Sequence, residues 1–128
     1  MSFNLSYISL EEAMIEFDHI GLKTTEKKEG ENWVEDSKCW VTSPKDHPYL
    51  VEWLRYEPDS TVPGEVRERP HIAFRVDSIN KASKGLRVLI KPWVVGGFVR
   101  VGFFEYRDGT VVEFMEYLKG KEAWFPET

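Results

Sequence analysis

The sequence predicts an α+β fold built from two similar β-rich units, and two observations lead to this prediction. The first is an internal repeat: FDHIGLK at 17–23 returns as RPHIAFR at 69–75, and LVEWLRY at 50–56 returns as VVEFMEY at 111–117. The second is the pattern of the later copy, which indicates a strand, a short helix and three further strands. Two copies of one supersecondary unit therefore account for most of the chain.

Length and composition fit one domain with its own core, since the chain has 128 residues. Its expected parts are an appendage at 1–14, a first unit at 15–57, a linker at 58–68, a second unit at 69–118 and a tail at 119–128. The net charge of −5 is spread without a basic stripe, so no nucleic acid partner is expected. Short apolar runs and the single Cys39 favour a cytoplasmic protein with no membrane partner and no internal disulfide.

The beginning of the chain is predicted to hold a short helix and then the first strand. Ser9 followed three residues later by Glu12 forms a capping box, which predicts a turn or two of helix in the appendage. A strand then begins near residue 15 and alternates in polarity. The residues expected to share one face of this strand are Ile15, Phe17, His19 and Gly21.

The remainder of the first unit is predicted to consist of short strands and turns. Strands at 33–34 and 39–42 flank a turn, and a strand at 49–56 follows a proline-containing turn at 44–48. The segment 24–32 is charged and interrupted by glycine, so it cannot supply a long amphipathic helix. Residues 57–68 contain two prolines, a glycine and four acidic residues, as is typical of a linker.

The second unit shows the complete pattern. A strand at 70–76 is followed by a helix at 78–84, with Asp77 as its N-cap and Gly85 as its left-handed stop. A strand then begins at 88, and two more at 99–106 and 110–117 flank an Asp-Gly turn, a strong hairpin signature. Residues 92–98 form either a flexible flap over a pocket or an ordinary hairpin loop.

Each unit carries one histidine and one glutamate at matching positions: His19 with Glu52, and His71 with Glu113. Alternation could turn each glutamate toward water, and a single histidine on an apolar strand is usually a satisfied core residue. Recurrence in both units favours another interpretation, in which the four side chains meet on a concave wall around one divalent ion. The alternative is a structural relic of duplication, and His47, in a turn, is expected to be solvated.

These fragments resemble the vicinal oxygen chelate superfamily, which includes glyoxalase I, methylmalonyl-CoA epimerase, extradiol dioxygenases, and fosfomycin and bleomycin resistance proteins. The resemblance covers about residues 14–118. It rests on FDHIG at 17–21, VEWL at 51–54, HIAFRVD at 71–77 and DGTVVEF at 108–114. It implies two βαβββ modules in a curved, mostly antiparallel, glyoxalase-like sheet. The first and last strands of each module would supply the metal ligands, here His19, Glu52, His71 and Glu113.

The full set of two histidines and two glutamates is similar to that of glyoxalase-type isomerases. The resemblance therefore implies a metal-dependent lyase, isomerase or epimerase that acts on a small carbonyl or thioester substrate. The proton would move through a metal-chelated enediolate, with Glu113 as the first candidate base and Glu52 as the second. Zn, Ni, Co, Mn and Fe all suit these ligands. The alternative is a non-catalytic protein that binds a drug-like small molecule in the same cleft.

The resemblance also bears on assembly, because modules of this superfamily pair either within one chain or between two chains. Members usually carry a full helix after the first strand, where this chain has the segment 24–32. The open flank, together with apolar residues in the appendage, leads us to expect a homodimer. If the chains exchanged modules, His19 and Glu52 of one subunit would share an ion with His71 and Glu113 of the other.

Overall fold

The computed structural model describes residues 8–10 and 13–119, which form nine strands and three short helical segments. The strands are β1 (Ile8–Leu10), β2 (Ala13–Lys23), β3 (Asn32–Val34), β4 (Cys39–Val41), β5 (Val51–Tyr56), β6 (His71–Val76), β7 (Arg87–Val95), β8 (Val99–Glu105) and β9 (Val111–Tyr117). The helical segments are a 3₁₀ turn (Pro44–Asp46), α1 (Gly64–Arg67) and α2 (Ile79–Ala82). The predicted α+β class agrees with this arrangement, in which strands predominate.

The nine strands of the described chain belong to one mixed sheet that curls into a half-barrel. Eight of them follow the order β3-β4-β5-β2-β6-β9-β8-β7, and β1 pairs with β2. Strand β2 runs parallel to β5, and β6 runs parallel to β9, whereas the other neighbours are antiparallel. In each half the last strand therefore lies beside the first, and the two first strands meet at the centre.

Strand β2 contains a bulge between Phe17 and His19 that reverses part of the predicted alternation. Phe17 pairs with Phe74, whereas His19 pairs with Ala73. Because Phe74 and Ala73 are consecutive on β6, they face opposite sides of the sheet. The prediction that Ile15 and Phe17 share a face with His19 is therefore wrong: Ile15 packs with Phe74 in the apolar cluster on the outer side.

The outer face of the second half is covered by α2. The buried members of this cluster are Val76, Ile79, Phe104 and Phe114. The helix is shorter than predicted, and its N-cap is Ser78 instead of Asp77, because the Ser78 side chain accepts a hydrogen bond from the Lys81 N–H (3.2 Å). Gly85 has a φ of +81° and follows the helix as expected for a left-handed stop.

The first half has no helix between β2 and β3, in agreement with the charged, glycine-broken sequence there. Polar contacts hold this segment against the sheet instead. Arg55 on β5 donates from Nε and Nη2 to the Glu31 carboxylate, at 2.8 and 2.7 Å. The Lys28 ammonium lies 4.8 Å from the centre of the Trp53 ring, within cation–π range.

The capping box did not lead to a helix at Ile8–Leu10, which forms β1 and pairs with Ala13 to Ile15 of β2. The reason lies in the neighbouring strand: β5 pairs only with residues 20–23 of β2, so the beginning of β2 has an open edge. Pairing at this edge outweighs a local helix preference. Glu11 and Glu12, like the apolar residues of 1–7 and the tail 120–128, lie outside the described residues.

The predicted linker contributes to the packed interior. It contains α1, and Val62 and Val66 are buried against Phe103 and Val111. Residues 92–98, which the sequence left open, complete β7, turn at Gly96 and Gly97 with positive φ, and lead into β8. Among the helices of the described residues, none is long and apolar enough to cross a membrane.

Candidate metal centre

The four predicted ligands lie together on the concave side of the sheet. They are His19 on β2, Glu52 on β5, His71 on β6 and Glu113 on β9, so each of the four central strands supplies one. One nitrogen or oxygen atom from each lies within 4.8 Å of the others. In a flat sheet, β5 and β9 would be about 14 Å apart, since they are three strand spacings from one another. The curl of the sheet therefore brings the ligands together.

The register of the strands repeats the same local arrangement in both halves. The cross-strand neighbours are Gly21–Glu52, Gly21–His71, His19–Ala73 and Ala73–Glu113. Glu52 thus lies beside Gly21, which follows His19 by two positions. Glu113 likewise lies beside Ala73, which follows His71 by two positions. A Cβ atom added to Gly21 would overlap the imidazole ring of His71. Gly21 is therefore needed for His71 to enter the site, a role that the sequence analysis did not assign.

All four side chains are buried: His19 is 0% exposed, His71 2%, Glu52 4% and Glu113 5%. Both imidazoles direct Nε2 toward the same two carboxylate oxygens. The His19 Nε2 atom lies 3.4 Å from Oε1 of Glu52 and 3.4 Å from Oε1 of Glu113. The His71 Nε2 atom lies 3.6 and 3.2 Å from these same oxygens. The lone pairs of all four groups can converge on one point.

The atoms at this point fit a divalent ion better than they fit each other. His71 Nε2 and Glu113 Oε1 are buried, and among the described residues neither has a partner in hydrogen-bonding geometry. An unsatisfied buried polar atom costs about 1–3 kcal/mol. Two imidazoles and two carboxylates form a suitable donor set for Zn, Ni, Co, Mn or Fe. The residues present are therefore able to hold one such ion.

His19 is oriented by a carboxylate from the neighbouring residue. Its Nδ1–H donates to Oδ1 of Asp18 at 2.6 Å, and the Tyr117 hydroxyl donates to Oδ2 of Asp18 at 3.2 Å. With its proton on Nδ1, a neutral imidazole uses the lone pair of Nε2 to bind a cation. Sequence alternation placed Asp18 on the face opposite His19. The bulge allows the contact, and it depends on pairing with β6 that the sequence does not reveal.

His71 is held by packing. The described residues offer no carboxylate to its Nδ1 atom. Its ring stands perpendicular to Phe103, with 5.1 Å between ring centres, and it occupies the space that the missing side chain of Gly21 leaves. The orientation of this histidine therefore depends on its steric fit against Phe103 and Gly21.

Without an ion, the surroundings of His19, His71 and Glu113 favour the charged form of each of these three groups. Burial by itself would lower the pKa of His71, but the nearby carboxylates of Glu113 and Glu52 outweigh it and raise the pKa to about 9. The pKa of His19 is also raised, since Glu52 and Asp18 outweigh the effect of burial. Burial would raise the pKa of Glu113, but the two histidines lower it to about 2. An ion would have to displace protons from this cluster.

The two glutamates line an apolar cavity that contains about 530 Å³ of empty space, including its open mouth. Trp93 and Phe103 stack in its wall, with their ring centres 6.2 Å apart. The other residues that line it are Val34, Ser37, Cys39, Val41, Leu54, Tyr56, Val62, Val66, Ile90, Val95, Val99 and Val101. The predicted linker therefore supplies part of the wall of this cavity, which its loop-like composition did not indicate.

His47 is not part of this group of residues. It lies in the turn before β5, where its Nδ1 atom accepts a hydrogen bond from the Tyr49 N–H at 3.0 Å. The predicted metal ligands, by contrast, all come from strands.

Comparison with known proteins gives a structural likeness. No family model and no curated protein matches the chain. Among solved structures, the crystal structure of the hypothetical protein BH1468 from Bacillus halodurans C-125 is similar, with a TM-score of 0.59 and 19% sequence identity. The match covers 85% of this chain and 99% of that chain. At this level of identity, the likeness supports a shared fold alone.

Proposed function

We propose that this protein is a metal-dependent lyase or isomerase of the glyoxalase type, within the vicinal oxygen chelate superfamily. The observation that carries the proposal is the convergence of His19, Glu52, His71 and Glu113, buried and one to a central strand. A buried cluster of two carboxylates and two imidazoles carries a high desolvation cost, and such clusters are typical of functional sites.

The proposal treats each half of the sheet as one βαβββ module. Its support is the strand order. Counted inward from either edge of the sheet, each half presents its second, third, fourth and first strands in turn, and its first and last strands pair in parallel. The equivalent registers of Gly21 beside Glu52 and Ala73 beside Glu113 support it further. The first module differs in having turns where the second has α2.

In the proposed enzyme, His19, Glu52, His71 and Glu113 hold one divalent ion. When bound, the ion supplies Lewis acidity toward paired substrate oxygens. The apolar wall excludes water from the reacting centre. Glu113 lines the cavity, and its carboxylate can take a proton from a substrate carbon and return it to a neighbouring position. Glu52 lines the same cavity and is the second candidate for this role.

The test combines metal analysis with matched glutamate variants. Protein purified without added metal should contain about one divalent ion per chain, and His71→Ala should lose both the ion and activity. If Glu113 is the base, Glu113→Gln should lower isomerisation of a suitable carbonyl or thioester substrate by about 10²–10⁴-fold, while Glu52→Gln loses less. Activity that is equal in wild type and Glu113→Gln would contradict the assignment of the base.

A second candidate function is sequestration of a small molecule without catalysis. The observation that favours it is the cavity wall, which is almost wholly apolar apart from the two glutamates. Tight binding of an unreactive ligand by a protein that contains no ion would support this candidate. A metal-dependent reaction in the same preparation would exclude it.

The homodimer also remains a proposal. One chain supplies all four ligands in this structure, so a dimer would not be needed to complete the centre. Sedimentation at micromolar concentration distinguishes a dimer from a monomer of 15.0 kDa.

A further inference from the structure

The charge of the cavity wall bears on the kind of substrate that it can take. Among the described residues that line the cavity, the ionised side chains are Glu52 and Glu113, and the lining contains no lysine or arginine. Burial raises the pKa values of the Cys39 thiol and the Tyr56 phenol, so both are neutral at pH 7. The wall therefore offers no cation to an anionic substrate.

The described hollows beside the cavity hold acidic residues or cations that are mostly paired. Two of them share wall residues with the cavity and contain Glu35, Asp36 and Lys91. A third shares only Tyr56 with it and contains Lys23, Arg55 and Arg67, which lie in ion pairs with Glu68, Glu31 and Glu57. The chain as a whole has a net charge of −5, so this surface offers an approaching anion no strong positive field.

The metal centre would not compensate for a second charge on the substrate. Two glutamates and one divalent ion sum to zero, because the histidines bind in neutral form. The positive charge of the ion is thus already matched by its ligands. A carboxylate or phosphate further along the substrate would lose its hydration in the cavity and find no lysine or arginine in the described lining, which is unfavourable.

We infer that the substrate is uncharged beyond its pair of chelating oxygens, and that its body is aliphatic or aromatic. This inference rests on the proposed function for the chelating end and on the cavity wall for the body. The stacked rings of Trp93 and Phe103 provide an apolar surface for a planar or alkyl group. Acids, phosphates and peptide conjugates do not fit the wall.

A matched pair of ligands tests this inference: 4-propylcatechol and 3-(3,4-dihydroxyphenyl)propanoate. Both ligands contain a catechol. The side chain of the first ends in a methyl group, and the side chain of the second ends in a carboxylate. Isothermal titration of the Ni²⁺-loaded protein should show at least about tenfold tighter binding of propylcatechol, the factor that corresponds to about 1.4 kcal/mol. The metal content is measured after each titration, so that loss of the ion to the ligand is detected.

A variant of the wall sharpens the test. Val95 on β7 lines the cavity, and the adjacent Val94 points to the other side and is 46% exposed. Val95→Lys should strengthen binding of the propanoate by about 5–10-fold, as a charged partner in a poorly solvated site does. Val94→Lys adds the same charge on the outer face, and it should leave the preference between the two ligands unchanged.

The possible outcomes separate this inference from the proposed function. Metal-dependent binding in which the propanoate equals or exceeds propylcatechol would overturn the inference and leave the metal centre standing. A preference for propylcatechol that is equally strong without the ion would support the apolar cavity and count against the chelating function. Failure of propylcatechol to bind either form, or a Val95→Lys variant that binds the propanoate no better than wild type, would also overturn the inference.

Discussion

His19 and His71 occupy equivalent positions in the two halves of the sheet, yet different contacts orient them. His19 lies after a bulge and donates to Asp18 at 2.6 Å. His71 stands against Phe103 and above Gly21, where no side chain interferes. Strand register places both imidazoles at the centre. A charged hydrogen bond then orients His19, whereas steric fit orients His71.

The largest expected effect concerns His71, whose orientation depends on the space beside Gly21. Gly21→Ala should weaken metal binding by at least about 100-fold, since a methyl group at this position displaces the imidazole of a ligand. The competition of a coloured chelator for Ni²⁺ measures the affinity. Ala73→Gly is the matched control in the other half, because it removes a methyl group at the equivalent position and leaves room for His19. Wild-type affinity in Gly21→Ala would show that His71 needs no such space.

A smaller effect is expected for His19, which is oriented by its hydrogen bond to Asp18. Asp18→Asn keeps the size of the side chain but removes the charge that holds the Nδ1 proton of His19, so metal affinity should fall by about 10–100-fold. Tyr117→Phe removes only the hydroxyl that donates to Asp18, and affinity should fall by no more than a few-fold. If Tyr117→Phe were the more damaging substitution, the contact between Asp18 and His19 would not be what orients the ring.

The smallest effect concerns the pH dependence of the metal-free protein. A histidine whose pKa rises on folding stabilises the protein fully below its unfolded value, about 6.5, and this contribution is lost as the pH rises through the folded value. For His71 that value is about 9. Glu113, whose pKa falls from 4.5 to about 2 on folding, contributes fully above the higher value and loses its contribution only as the pH falls toward 2.

Urea unfolding of the metal-free protein should therefore show a loss of stability between pH 6.5 and 9, on the order of 1–3 kcal/mol. Loading with metal should reverse this trend, because ions compete with protons less well at low pH. The loss should be smaller in His71→Ala than in wild type. A metal-free protein whose stability is flat across this range would indicate that the four groups do not interact as described.

The repeat made much of the centre predictable from the sequence. The period of two in the strands and the recurrence of a histidine and a glutamate identified the four residues that the fold brings together. The bulge at Asp18 and the need for glycine at position 21 were not predictable, since both depend on the pairing of β2 with β6. The helix expected from the capping box failed for a similar reason, as β1 pairs with the open edge of β2.

The most direct test of the metal centre is an anomalous diffraction map from crystals of the Ni²⁺-loaded protein, recorded at the nickel edge. We expect one strong peak per chain, about 2.0–2.2 Å from Nε2 of His19, Nε2 of His71 and a carboxylate oxygen each of Glu52 and Glu113. Crystals of His71→Ala should show a weaker peak or none. A strong peak elsewhere on the chain, or no peak in wild type at full loading, would show that these four residues do not form the metal centre.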